Sequence, residues 1–258
     1  MKKPVKIALI VLCVIFLSIF VYSGYKLIST LHEYKVAEDT YNKISSDYVS
    51  PKSDKNKDKD NSDGNQITES SPVDVDFDAL LNQCQDVVGW LYSENTVINY
   101  PVVQAEDNFY YLHRFIDGQY NASGSLFLDC TCYGDFSGKN TVLYGHNMND
   151  GSMLASIRNY NDQEYYNEHP VMYLNTPTQN YKIEIFSAYT TDAESDTYKM
   201  FFESEDDFAR HLDDWRLQSL VSTNVDVSVD DHVITLSTCT YDFYNARFVV
   251  QGKLTPVN

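Results

Sequence analysis

Basic residues are scarce in this chain. Lys and Arg number 19 against 37 Asp and Glu, for a formal net charge of −18. Such a surface repels phosphate backbones, which argues against nucleic acid as a partner. Paired cysteine motifs are missing too. Cys13, Cys84, Cys130, Cys132 and Cys239 contain no C-x-x-C, so zinc and thioredoxin-type readings have little support. Nor does their distribution read as a disulfide framework. A calcium loop with Gly64 as its sixth position would put Lys59 first and Ser70 twelfth, where ligand carboxylates are required. We therefore expect no metal and no cofactor. No internal repeat is visible.

Aromatic residues are plentiful instead. The 21 Tyr and 13 Phe exceed what a disordered chain carries and suit a β-rich core. With 43% hydrophobic content, 258 residues suffice for one good-sized domain plus an appendage. Ile7 to Tyr25 is free of charge and bracketed by Lys6 and Lys26. That length spans a bilayer as a helix. Lys2, Lys3 and Lys6 keep the N-terminus cytoplasmic by the positive-inside rule, leaving the remainder outside. A cleaved signal peptide is the rival reading, but no Ala-x-Ala site follows the apolar run. The expected organisation is an anchor over 1–26, a juxtamembrane helix and polar linker over 27–74, and a folded domain outside the cell over 75–258. Within the middle part, Leu27 to Tyr48 reads as amphipathic helix and Pro51 to Ser71 as flexible linker.

Periodicity predicts a helix from Phe77 through Leu91, with Cys84 on its apolar face. Thr96–Val103 and Ser125–Asp129 are strand-like. Pro101 marks an edge or an end of the first, and Cys130 and Cys132 fall at the end of the second. Short helices are expected over Asn108–Phe115, Ser152–Arg158 and Asp162–His169, the last stopped by Pro170. Val171–Leu174 and Tyr181–Tyr189 alternate like strands. Ser204 with Asp207 starts a helix running to about Leu220, whose apolar stripe is Phe208, Leu212 and Trp215. This helix precedes a strand read over Val225–Leu236.

The chemistry concentrates between Asp231 and Leu254. Two β-branched runs, Val233–Leu236 and Phe248–Leu254, read as strands. Cys239 ends the first and Arg247 begins the second, eight positions later. A cation beside a cysteine favours the reactive thiolate. Upstream, T-V-L-Y-G-H ends another strand at His146. Cysteine nucleophiles are usually activated by a histidine distant in sequence.

T-L-S-T-C with a downstream Arg, and an upstream L-Y-G-H-N, resemble a sortase over roughly Phe77 to Leu254. The helix between two late strands and the N-terminal helix make the resemblance one to class B. The resemblance implies a closed sortase-type β-barrel, mainly β with added helices. It also implies a two-step transpeptidation. A secreted protein with a C-terminal signal similar to Asn-Pro-x-Thr-Asn or Asn-Pro-x-Thr-Gly is cleaved after Thr through a thioester, and an amine of a cell-wall precursor takes the acyl group. Cys239 would be the nucleophile, His146 the acid and base, and Arg247 the stabiliser of the oxyanion. Ser237 and Thr238 would line the substrate groove, or serve only the strand ladder.

Among the other histidines, His211 reads as solvated on a charged helix and His169 as a helix cap. His232 lies more than about 20 Å of extended strand from Cys239. His113 is the competitor to His146. Two other functions fit the same residues. One is a cysteine protease with water as acceptor. The other is a non-catalytic surface-binding module in which Cys239 is a small buried hydrophobe.

Overall fold

A computed structural model describes residues 3–52 and 70–258. The polar linker falls largely outside these residues, as does the Gly64 loop. The chain divides into two units, Met1–Asn42 and Lys43–Asn258.

The first unit belongs to helix α1, Lys3–Tyr48. Side chains of its apolar stretch are exposed, with Ile10 at 64% and Phe20 at 76%. Among the described residues, α1 is the helix long and apolar enough to cross a membrane. The apolar stretch and the amphipathic segment expected after it form one unbroken helix.

In the second unit, β1 (Val49–Pro51) pairs antiparallel with β2 (Val73–Val75). Helix α2, Phe77–Gln83, is capped by Asp76, which accepts from the Ala79 N–H at 3.0 Å. It ends at Cys84, which is extended, so the helix expected to reach Leu91 is half that length. Val87–Tyr92 is instead strand β3. Two adjacent valines favour strand, and Gly89 gives close approach: a Cβ there would lie 3.0 Å from the Asn175 carbonyl oxygen.

Then follow β4 (Asn99–Val103), a 3₁₀ turn at Tyr111–His113, β5 (Leu126–Leu128) and β6 (Asn140–Tyr144). A second 3₁₀ turn spans Ala155–Asn161, later than the helix expected from Ser152. Next come α3 (Gln163–Glu168), β7 (Val171–Asn175), β8 (Asn180–Asp192), a 3₁₀ turn at Asp196–Tyr198 and α4 (Glu205–Gln218). The chain closes with β9 (His232–Cys239) and β10 (Ala246–Val257). Residues 225–231, expected to begin the strand of β9, carry no ladder pairing. Val227 of that stretch packs into the core instead.

Eight strands form a closed barrel in the order β10-β8-β7-β3-β4-β5-β6-β9. The β4–β5 and β6–β9 pairs are parallel and the others antiparallel. Closure leaves no open edge. Pro101 pairs with Trp90 on one side, and the β5 ladder begins only at Val102, so its missing N–H leaves no ladder bond unmade on that side.

Helix α4 lies between β8 and β9 and packs on the barrel. Phe208, Leu212 and Trp215 meet Phe186, Tyr189, Val233 and Val249 in one buried cluster. Burying each such side chain contributes about 1.5–3 kcal/mol. The Ser204 hydroxyl caps α4 by accepting from the Asp207 N–H at 3.2 Å. His211 is not solvated as expected. Its side chain is 14% exposed, and its ring lies 5.2 Å from that of Phe202. It shares the 208-211-212-215 face, so the stripe that buries Trp215 buries it as well.

Candidate active site

The antiparallel β9–β10 ladder pairs Cys239 directly with Arg247. Such cross-strand partners have Cβ atoms about 4.5–5.5 Å apart, so thiol and guanidinium begin side by side. The connection between them turns at Asn245, whose φ is 62°. On the other flank, β6 runs parallel to β9, with Tyr144 opposite Ser237. The Gly145 N–H donates to the Ser237 carbonyl at 3.1 Å. Thr238 Oγ1 donates to the Gly145 carbonyl at 2.8 Å. A Cβ at Gly145 would lie 2.5 Å from Leu126 Cδ2, so this approach requires glycine. These contacts deliver His146 to the end of β9.

Cys239, His146 and Arg247 line one groove of about 280 Å³, together with Ser237 and Thr238. Both latter side chains are buried and already engaged. Ser237 Oγ lies 2.8 Å from the Tyr198 hydroxyl. Thr238 is spent on Gly145. They knit the strand ends together as well as lining the groove.

His146 Nε2 lies 2.7 Å from the Leu112 carbonyl oxygen. A carbonyl only accepts, so Nε2 carries the proton and Nδ1 is the free base of the neutral ring. Burial pushes the His146 imidazole below its ordinary pKa. The Leu112 carbonyl opposes this, and the neighbouring His113 adds to it. Arg247 Nη1 donates to the carbonyls of Ala246 at 3.0 Å and Asn245 at 3.3 Å. The rest of its fork makes no hydrogen bond among the described residues.

The groove has members that sequence reasoning missed: Asn108, Leu112, Tyr144 and Tyr198. The Tyr198 hydroxyl is pushed up to about 12 by burial, with the Ser237 contact and the Arg247 charge opposing. Its ring stacks on Tyr144 at 6.2 Å. Behind them lies Asp129, 5% exposed. Its Oδ2 accepts from Asn108 Nδ2 at 2.9 Å and from the Tyr144 hydroxyl at 3.2 Å. Its Oδ1 accepts from the Thr131 N–H at 2.9 Å and hydroxyl at 2.7 Å. Tyr144 stands inside the L-Y-G-H run and was within reach of the sequence. No local pattern connects residues 108, 129 and 198.

The other cysteines stand apart from the groove lining. Cys84 is buried beside the Tyr111 hydroxyl at 3.5 Å. Cys130 and Cys132 fall in the turn after β5 rather than on the strand, because Asp129 folds that turn around its carboxylate. Burial pushes the Cys132 thiol up to about 11. Cys13 lies on α1. Of the other histidines, His169 caps α3 and His232 reaches the Gly138 carbonyl at the far end of β9. His113 stacks on His146, with centroids 5.3 Å apart and planes at 15°.

A family model described as a sortase domain matches residues 91–255. Sortase B of Listeria monocytogenes is 34% identical over 245 residues, covering 94% of this chain and 95% of its own. Sortase B of Staphylococcus aureus is 29% identical over 256 residues, covering 98% and 96%. Among solved structures, sortase B from Bacillus anthracis superposes with a TM-score of 0.73 at 32% identity, covering 88% of this chain and 99% of that one. The Staphylococcus aureus sortase B–substrate complex gives 0.68 at 32%, covering 70% and 85%. Barrel and relatives together define a cysteine transpeptidase. The chain belongs to the sortase family, and within it to class B.

Proposed function

We propose that this transpeptidase is anchored by α1 with its N-terminus cytoplasmic and its barrel outside the cell. It cleaves a C-terminal sorting signal similar to Asn-Pro-x-Thr-Asn or Asn-Pro-x-Thr-Gly after Thr. It then passes the acyl group to an amine of a cell-wall precursor. The observation that carries this reading is the convergence of Cys239, His146 and Arg247 in one groove.

Cys239 passes its thiol proton to His146 Nδ1, and the resulting thiolate attacks the carbonyl carbon of the Thr residue. A C–S bond forms, and the carbonyl electron pair moves onto oxygen beside Arg247. Collapse breaks the C–N bond, and His146 hands a proton to the departing amine. A thioester remains. The incoming amine attacks it, His146 takes the amine's proton, and the C–S bond breaks to return the thiolate. Arg247 is suited to its task because one nitrogen is braced by backbone carbonyls while the remaining donors stay free. Staphylococcus aureus sortase B has been solved with a substrate, and a sortase B has been solved with triglycine, a peptide amine. Those complexes support a peptide donor and an amine acceptor here.

Full-length protein in detergent should be incubated with an Asn-Pro-x-Thr-Asn peptide, with and without triglycine. Mass spectrometry should show the triglycine ligation product, and an acyl-enzyme on Cys239 when amine is withheld. Cleavage that yields only the hydrolysed acid in the presence of triglycine would favour a protease. The lack of any adduct on Cys239 would favour the binding module.

A further inference from the structure

We propose that His113 is a positioning residue for His146, its ring stacked on the His146 imidazole while its own 3₁₀ turn fixes that ring's tautomer. This rests on the assignment of His146 as the acid and base, and it adds a group that this assignment leaves unused.

The geometry supplies the argument. The rings overlap nearly parallel, with centroids at 5.3 Å and planes at 15°. They are also tied through the backbone, since the carbonyl that fixes the His146 tautomer belongs to Leu112, the neighbour of His113. One 3₁₀ turn, Tyr111–His113, therefore sets both the direction and the stacking face of the His146 imidazole. Neither ring pairs with a carboxylate among the described residues. A carboxylate would stabilise an imidazolium; a second imidazole does the opposite once it is charged.

His146 Nε2 is committed to Leu112, so its proton enters and leaves at Nδ1. His113 Nδ1 is buried without a hydrogen-bond partner among the described residues. The other groups around the pair are Cys239 on β9, Arg247 on β10, Tyr144 on β6 and Tyr198 after β8, all lining the groove. Tyr120 packs against His113 at 5.9 Å, and Arg114 is held over the Tyr110 ring at 4.7 Å. Asp150, on the loop that follows His146, is taken up by the Ser152 N–H and hydroxyl. Burial and the neighbouring His113 thus discourage a charge on His146 and leave its Nδ1 free to accept a proton.

The test compares full-length wild type with His113→Phe, which keeps a flat ring and removes the imidazole nitrogens. Histidine labelled with ¹³C at Cε1 reports the His146 titration by NMR in detergent, without reference to activity. In His113→Phe the His146 titration should move to higher pH. The acid limb of kcat/KM for the sorting peptide should move with it. His113→Gln, also uncharged, should give the same direction and carries the test if the Phe variant melts early. A His146 titration that stays in place in both variants overturns the proposal, whatever the melting curves do. If the titration moves but no protein ligates the peptide, the positioning role of His113 stands and the transpeptidase assignment of this groove falls.

Discussion

Cys239, Arg247 and the strand leading to His146 sit on β9, β10 and β6, whereas Asn108, Leu112 and Tyr198 come from connections between strands. The first set is fixed by ladder hydrogen bonds, each backed by the rest of a closed barrel. The second set is fixed by side chains. Asp129 holds Asn108 and Tyr144. The Asn140 carboxamide donates to the Thr197 and Lys199 carbonyls on either side of Tyr198, at 3.1 and 3.0 Å. Lys199 is in turn gripped by Asp207 at the start of α4, at 2.7 Å. Strand-borne chemistry thus survives loss of any one contact, while the walls depend on a few buried polar groups.

The largest effect should come from the floor. Cys239→Ala should abolish cleavage and ligation, read by peptide mass spectrometry, while Cys130→Ala and Cys132→Ala keep most activity. Arg247→Lys keeps the charge and loses the fork. It should lower kcat/KM about 100-fold, with kcat falling too and the melting curve unchanged. A near wild-type kcat/KM would make Arg247 a surface cation only.

Wall variants should separate binding from chemistry. Asp129→Asn turns one acceptor oxygen into a donor facing groups that already donate. It should cost about 1–3 kcal/mol of stability in denaturant melts. Its kinetic cost should fall mainly on KM for the sorting peptide. An unchanged KM would mean that Asn108 and Tyr144 do not touch substrate.

A chain begun at Val75 should remain soluble and active. It should melt a few degrees below one begun at Lys43. The difference reflects loss of the β1–β2 pair, of the Tyr48 to Gln83 hydrogen bond and of the 2.7 Å bond from Asn99 to Ser45. Equal melting curves would make the ribbon dispensable.

The smallest effect is a matter of pH. Because His146 is held below its ordinary pKa, the acid limb of kcat/KM should lie below about 6.5. The sign for stability follows. The unfolded imidazole binds a proton that the folded one resists, so this group lowers stability as pH falls through about 6.5 and has no effect above it. An acid limb above that value would mean another group sets it.

The sequence was most readable where chemistry and strand pattern coincide. T-L-S-T-C and the downstream Arg mark two strand ends because a β-branched run must stop where a polar loop begins. Helix α4 was readable from its cap and its stripe, down to Ser204 and Trp215. Periodicity failed at Val87–Tyr92, where apolar positions continue the helical spacing of α2 and pairing with β4 and β7 decides for strand. It failed again at His211, whose charged neighbours in sequence conceal an aromatic pocket made by Phe202 and Trp215. Nothing local relates Asn108 to Asp129 or Tyr198 to Asn140. Those links exist only after the barrel has closed.

That closure has a consequence in time. The bond from Thr238 to Gly145 joins residues 93 apart in sequence, and the parallel β6–β9 pair depends on the same long loop. Closing such loops is entropically slow, and barrels dominated by distant pairings fold in milliseconds to seconds. In chain order β9 and β10 also follow the other six barrel strands. The nascent chain therefore carries an isolated thiol until β9 and β10 dock, and the groove is assembled in the step that closes the barrel.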